Sequence, residues 1–185
     1  ATQAAKRGAE VTLISGPTVL DTPAGIRNIV RVETAAQMYQ AVMEAFPDHD
    51  AVIQSAAVAD YKPKQYSNSK LKKSDSDLYI ELERTQDIAY QLGKMKGNKI
   101  LVGFAAETDK VTEHAVQKIR KKNFDFIVAN DVTKAGAGFG TDTNIITIID
   151  AQGNMHEYPQ LLKTEAADII LDEVATLFCR KEQKP

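Results

Sequence analysis

Short apolar runs alternate with helical periodicities along this chain, and that alternation limits its fold more than any other feature. Val11–Ser15 (VTLIS) is an apolar run stopped by Gly16-Pro17, and Asn28–Val32 is a second. Thr34 is placed to cap a helix running to Phe46, with Met38, Val42 and Phe46 on one face. Ala51–Gln54, Lys99–Phe104 and Phe124–Ala129 read as further strands. Helices are predicted from Thr85, as cap, through Leu92 and over Thr112–Lys122, the second closed by Asn123. Leu78–Leu82 (LYIEL) alternates, as a strand or arm with one exposed face does. Asn144–Ile149 and Met155–Tyr158 flank Ala151–Asn154 as a β-hairpin. Thr164 opens a last helix with Ile169, Ile170, Val174, Leu177 and Phe178 on one side, and residues 180–185 read as a frayed tail. Strands that alternate with helices predict an α/β, Rossmann-like fold: a mostly parallel sheet, helices on both faces and an antiparallel hairpin at one edge.

Composition narrows the classes of partner. With 185 residues, 43% of them hydrophobic, the chain can bury one substantial core, and a single domain over 1–185 is expected. A net charge of -2 supplies no global field toward nucleic acid or membrane. One cysteine, Cys179, allows no internal disulfide, which suits a reducing, cytoplasmic setting; its spacing in the last helix reads as core rather than nucleophile. No apolar run approaches the roughly 20 residues of a membrane span. The opening ATQAAKRG reads as the tail of a helix with Gly8 as its stop, so a preceding segment is expected to be missing.

The chemistry is expected where strands end. In open α/β sheets ligands bind beyond the carboxyl ends of the strands. Four such ends carry small or polar residues: Ser15-Gly16-Pro17, Ser55-Ala56-Ala57, Phe104-Ala105-Ala106-Glu107 and Asn130-Asp131. Any one of them simply fits a tight turn; four together suit the close approach of a nucleotide. After Asp60 comes a polar stretch, 61–77, with Lys62, Lys64, Lys70, Lys72 and Lys73, which reads as a flap able to close over an anion. Lys118 and Lys122 share a face of one predicted helix. Alone they are a solvated face; beside the lysine flap they become the second wall of a phosphate site. Gly136–Gly140 (GAGFG) lacks a following Lys-Ser/Thr and precedes a strand, so it reads as a mobile connection and not a phosphate loop. His49, His114 and His156 are scattered, and no spacing matches a metal site held by the protein's own side chains. A magnesium ion brought in with phosphates needs few such ligands.

The stretches VTLISGP, AAVADYKP, KLKKS, VGFAAET, KKNFDFIVANDV and GFGTDTN, in this order, resemble the phosphopantothenoylcysteine synthetase family in its bacterial, CTP-using form. The resemblance implies a ligase of coenzyme A biosynthesis. In it the carboxylate of 4'-phosphopantothenate attacks the α-phosphate of CTP, pyrophosphate leaves, and the amine of L-cysteine then attacks the acyl-cytidylate to release CMP. It implies roles residue by residue. Lys70 matches the flap lysine that contacts the nucleotide phosphates, and Asp60 a nucleotide-binding aspartate. Ser55, Ala56 and Phe104 match strand-end positions beside the nucleotide, and Lys118 and Lys122 the nucleotide-binding lysine pair. Gln86, Asp87, Ile88 and Ala89 fall in a segment lining the nucleotide, with Gln86 where the family usually has proline. Asn130, in the ANDV motif, is carried over with Lys70 as a catalytic position.

The resemblance also implies magnesium with the CTP, a homodimer formed through the flap and neighbouring strands, and in many bacteria fusion behind a flavin-dependent decarboxylase. The family's first strand and an asparagine-bearing loop lie upstream of the stretch that matches Ala1. Two other readings stand beside the ligase. One is a nucleotide-binding paralogue without activity, which the upstream gap favours and the retained Asp60, Lys70, Lys118 and Lys122 oppose. The other is an NAD(P)-dependent oxidoreductase, which would need a glycine fingerprint after its first strand, and the chain has no such run.

Overall fold

The computed structural model describes residues 1–67, 69–70, 77–106, 111–130 and 141–182. In chain order the elements are α1 (Thr2–Lys6), β1 (Thr12–Ser15), β2 (Asn28–Arg31), α2 (Ala35–Ala45), a 3₁₀ turn (Phe46–Asp48), β3 (Ala51–Gln54), β4 (Tyr61–Pro63), β5 (Leu82–Arg84), α3 (Ile88–Met95), β6 (Ile100–Ala106), α4 (Val111–Lys122), β7 (Phe126–Asn130), β8 (Thr143–Asp150), β9 (Met155–Leu162) and α5 (Lys163–Glu182). A five-stranded sheet has the order β3-β6-β7-β8-β9. Its β3, β6 and β7 are parallel and its β8 and β9 antiparallel, so the expected α/β fold with a hairpin at one edge is what forms. β1 and β2 pair in parallel as a second, two-stranded sheet, and β4 and β5 make an antiparallel ribbon.

The period-2 pattern of the central strands decides which helices lie on which face. Leu101 and Ala105 of β6, Ile127 and Ala129 of β7 and Ile149 of β8 pack with Ile88, Ala89 and Leu92 of α3, Ala115 and Ile119 of α4, and Met38 and Phe46. The alternate residues Ile100, Val102, Phe126, Val128, Ile146 and Ile148 pack on Ala166, Ile170 and Val174 of α5. Shifting any of these strands by one residue would exchange the two faces. Each fully buried aliphatic side chain contributes roughly 1.5–3 kcal/mol.

Local signals explain most boundaries. Thr34 and Gln37 close α2 with a complete capping box, the Thr34 side chain accepting from the Gln37 N–H and the Gln37 carboxamide accepting from the Thr34 N–H. Asn123 ends α4 in a left-handed conformation, φ 53°. The β8–β9 turn is organised by Asp150, whose carboxylate accepts the Gln152 N–H (2.9 Å), the Asn154 N–H (2.9 Å) and the Asn154 side-chain amide (2.8 Å). Partial burial alone would raise the pKa of this carboxyl. The hydrogen bonds, that from the Asn154 side chain first, outweigh burial and hold it below its ordinary value.

The structure corrects four expectations. The cap of α3 is Asp87 and not Thr85: the Asp87 carboxylate accepts the Tyr90 N–H, while the Thr85 hydroxyl donates to the Ala59 carbonyl. The strand expected over Leu78–Leu82 begins at Leu82 and is exposed throughout, so it has no buried face. Arg180 and Lys181 are not frayed but continue α5, because the Lys181 ammonium donates to the Asn98 and Lys99 carbonyls at 3.1 and 3.0 Å. Cys179 is exposed, not in the core, one position past the apolar stripe that ends at Phe178. Gly136–Gly140 lies outside the described residues.

The layers meet at Asp125. Its carboxylate accepts the Leu101 N–H of β6 (2.7 Å), pairs with Lys96 just after α3 (2.9 Å) and faces Lys181 of α5 (3.5 Å). Lys96 is only 7% exposed and also donates to the Asn123 carbonyl at 2.8 Å. Removing one partner of a buried ion pair strands the other charge. Asp125→Ala is therefore expected to destabilise the fold by about 3 kcal/mol or more in urea unfolding; a loss below about 1 kcal/mol would place no weight on this junction.

Candidate functional site

Where β3 ends, the chain runs through residues 55–60 without regular structure and enters β4. Small side chains keep this path shallow, and the Thr85 N–H and hydroxyl tie it down by donating to the Asp60 carbonyl (2.9 Å) and the Ala59 carbonyl (2.6 Å). Opposite lie the start of α3 and one face of α4. Between them is a cavity of about 230 Å³, lined by Gln54 and Ala56–Asp60 on one side and Thr85–Ala89 on another. Phe104, Phe124, Lys118 and Lys122 complete it. It opens beyond the carboxyl end of a parallel strand, the expected place for a ligand in this architecture.

Among the described residues, the cavity lining carries two lysines, Lys118 and Lys122, and two aspartates, Asp60 and Asp87. Lys122 is 22% exposed, and its Nζ lies 3.1 Å from Asp87 Oδ1. The same oxygen accepts the Tyr90 N–H at 3.0 Å. One carboxylate thus caps α3 and meets a cation from α4.

Tight packing fixes the base of Lys122. A Cβ added to Gly93 of α3 would lie 2.1 Å from the Lys122 carbonyl oxygen, closer than any side chain could sit. The Asn123 side-chain amide donates to the Gly93 carbonyl at 3.0 Å, and Lys96 holds the Asn123 carbonyl. α3 and the end of α4 are therefore locked, and Lys122 reaches the cavity by its side chain alone. On the floor, Gly103 plays a similar part. A Cβ there would fall 2.7 Å from the Phe124 ring, so glycine in this strand lets the ring lie against β6.

The structure brings together most of the residues singled out from sequence. Ala56, Asp60, Gln86, Asp87, Ile88, Ala89, Phe104, Lys118 and Lys122 all line the one cavity. Ser55 lines a neighbouring cavity instead. Asn130 ends β7 opposite Ala106, outside the cavity lining, and its Oδ1 is buried with no hydrogen-bond partner among the described residues. Lys70 is exposed and lies outside the lining, while Lys72 and Lys73 fall outside the described residues. Lys62 and Lys64 serve the β4–β5 ribbon, pairing with Glu83 (3.0 Å) and Glu81 (2.6 Å). Sequence reasoning missed Gln54, Val58, Ala59, Thr85 and Phe124 as lining residues. A glycine inside the β6 strand was the available signal for Phe124, since it marks a close approach.

The neighbouring cavity, about 180 Å³, separates the two parallel sheets and is lined by residues of β1, α2 and β3 together with Ile88 and Leu92. His49 bridges the starts of β1 and β3. Its Nδ1–H donates to the Ala45 carbonyl (2.7 Å), which leaves Nε2 to accept the Thr12 hydroxyl (2.9 Å).

Residues 1–178 match the family described as the DNA/pantothenate metabolism flavoprotein C-terminal domain. The chain belongs to this family. It is similar to the coenzyme A biosynthesis bifunctional protein CoaBC of Bacillus subtilis, at 47% identity over 94% of this chain and 43% of that protein. It is also similar to a cysteine/cysteine sulfinic acid decarboxylase of an unknown prokaryotic organism, at 45% identity over 94% of this chain and 49% of that protein. The chain thus spans less than half the length of these curated relatives. Among solved structures, a crystal structure of the C-terminal domain of CoaBC superposes with a TM-score of 0.77 at 45% identity, covering 95% of this chain and 79% of that one.

The close approach at Gly93 gives a direct test of the site's scaffold. Gly93→Ala is expected to cost about 1–3 kcal/mol, because neither backbone can yield without moving the end of α4. Thermal unfolding measures the loss, and an unchanged midpoint would mean that α3 and α4 are not locked there.

Proposed function

We propose that this chain carries the nucleotide site of a phosphopantothenate–cysteine ligase. In the reaction, the carboxylate of 4'-phosphopantothenate attacks the α-phosphorus of CTP and pyrophosphate leaves. The amine of L-cysteine then attacks the acyl carbon of the acyl-cytidylate, giving 4'-phosphopantothenoylcysteine and CMP. The observation that carries the reading is the single cavity at the end of β3 in which Lys118 and Lys122 face the small-residue run Ala56–Asp60. Membership of the family and 47% identity to a CoaBC protein support it.

The chemistry asks for positioning and charge more than for a covalent nucleophile. Each step transfers a group between substrates, so the protein's contribution is to align them and to offset the charge that builds on the departing pyrophosphate. Lys118 and Lys122 suit the polyphosphate, with Lys70 closing from the flap; Phe104 and Phe124 offer apolar contact for a base or sugar. Asp60 and Gln86–Ala89 border the same space, with Ser55 just beyond it, and Asn130 is kept as a catalytic position on its motif alone. Magnesium, carried in by the triphosphate, would lower its charge further. Among the described residues no group of three His, Cys, Asp or Glu side chains could hold a metal ion.

Three further parts belong to this reading. The β4–β5 ribbon exposes Tyr61 (52%) and Leu82 (55%), and the segment leading into β5 exposes Tyr79 (88%) and Ile80 (64%), a surface suited to a second copy of the chain in a homodimer. The cavity between β1 and β3 lies where the two-stranded sheet meets the five-stranded one. Fusion to a flavin-dependent decarboxylase and a cytoplasmic setting follow from the same assignment. Among the described residues no helix is long and apolar enough to cross a membrane.

The test is turnover of CTP, phosphopantothenate and cysteine with magnesium, following pyrophosphate, CMP and the amide product. The reading predicts all three products, and pyrophosphate release that falls at least tenfold when Lys118 and Lys122 are both changed to Ala. NADP binding without CTP turnover would replace it with an oxidoreductase, and CTP binding without pyrophosphate release would reduce it to a nucleotide-binding module.

A further inference from the structure

Asp87 and Lys122 both line the cavity, yet they are paired with each other at 3.1 Å. An anion entering there meets an ammonium whose charge is already offset. The carboxylate cannot remain against Lys122 while a polyphosphate takes the same position, since two anions would then crowd one cation. Asp87 has somewhere to stay. Its Oδ1 also accepts the Tyr90 N–H at 3.0 Å, so it can give up the lysine and remain the cap of α3. Lys122 is equally prepared, because its backbone is pinned by the Gly93 contact and only its side chain needs to turn.

We propose that Asp87 is a placeholder for phosphate: it holds the anion position on Lys122 while the cavity is empty, and a di- or triphosphate displaces it on binding. This rests on the nucleotide reading of the cavity and adds to it a residue that sets affinity by competing with the ligand. The displaced pair is partly exposed, the Asp87 side chain at 43% and Lys122 at 22%, so the competition is mild and reversible. It also acts in the other direction. As pyrophosphate leaves, the carboxylate re-forms the pair and favours release.

The sign of the effect separates this role from that of an ordinary site residue. Asp87→Asn keeps the shape and the cap, because asparagine caps helices as well as aspartate, and removes only the charge. Calorimetric titration with inorganic pyrophosphate and with CTP is expected to show binding roughly two- to five-fold tighter in Asp87→Asn than in the unaltered chain. The salt dependence should steepen, since a cation is uncovered. The gain should vanish when Lys122→Gln is combined with Asp87→Asn, a coupling that a purely structural cap would not produce. Asp87→Ser, a second uncharged cap, is expected to move in the same direction and serves if the asparagine variant does not fold. Weaker or unchanged binding in a folded variant, with the unaltered chain still binding CTP, would overturn the placeholder and leave the nucleotide site standing. An unaltered chain that binds neither CTP nor pyrophosphate would overturn both.

Discussion

The carboxylate of Asp125 is the interaction on which the arrangement of this protein most depends. It stands at the entry to β7 and reaches β6 through the Leu101 N–H, the end of α3 through Lys96, and α5 through Lys181. Those groups belong to both faces of the sheet. A polar knot of this kind is not a source of much net stability, since removing charges from water costs about as much as their attraction returns. What it supplies is register: Lys96 also holds the Asn123 carbonyl, and through it the last turn of α4. The chain of contacts from this largely enclosed carboxylate to the base of Lys122 is continuous.

The candidate site exploits that rigidity. Its lysines come from a helix whose end is fixed against Gly93, and its floor is a phenyl ring seated on a glycine of β6. Against this frame the opposite wall is a run of small residues, Ala56–Ala59, held by hydrogen bonds from Thr85. A fixed cationic wall facing a shallow backbone wall is a sound arrangement for a nucleotide, because phosphate needs charge while a flat base needs access. The balance of two lysines by two aspartates matters as much as the lysines themselves. Of these four groups, Asp87 and Lys122 are paired directly, at 3.1 Å.

How far the sequence revealed this depends on the range of the interaction concerned. Strands β6 and β7, which combine apolar content with period-2 alternation on two buried faces, were legible, as were the Thr34 cap and the Asn123 stop, each set by residues within one helical turn. The end of α5 was not. Lys181 is held by carbonyls of Asn98 and Lys99, more than 80 residues away, and no local pattern announces such a contact. The cap of α3 was misassigned because Thr85 and Asp87 are both good caps, and only the tie from Thr85 to the Ala59 and Asp60 carbonyls decides between them. Motif resemblance gathered nine residues that line one cavity, whereas Ser55, Lys70 and Asn130 lie outside its lining.

The most direct test of the account is a crystal structure of the chain grown with CTP. The expected result is a triphosphate within hydrogen-bond reach of Lys118 and Lys122, the nucleoside against Ala56–Asp60, and the Lys122 ammonium turned from Asp87 to the phosphates while the Asp87 carboxylate keeps the Tyr90 N–H. Nucleotide seated elsewhere, or the Asp87–Lys122 pair intact beneath bound phosphates, would contradict it.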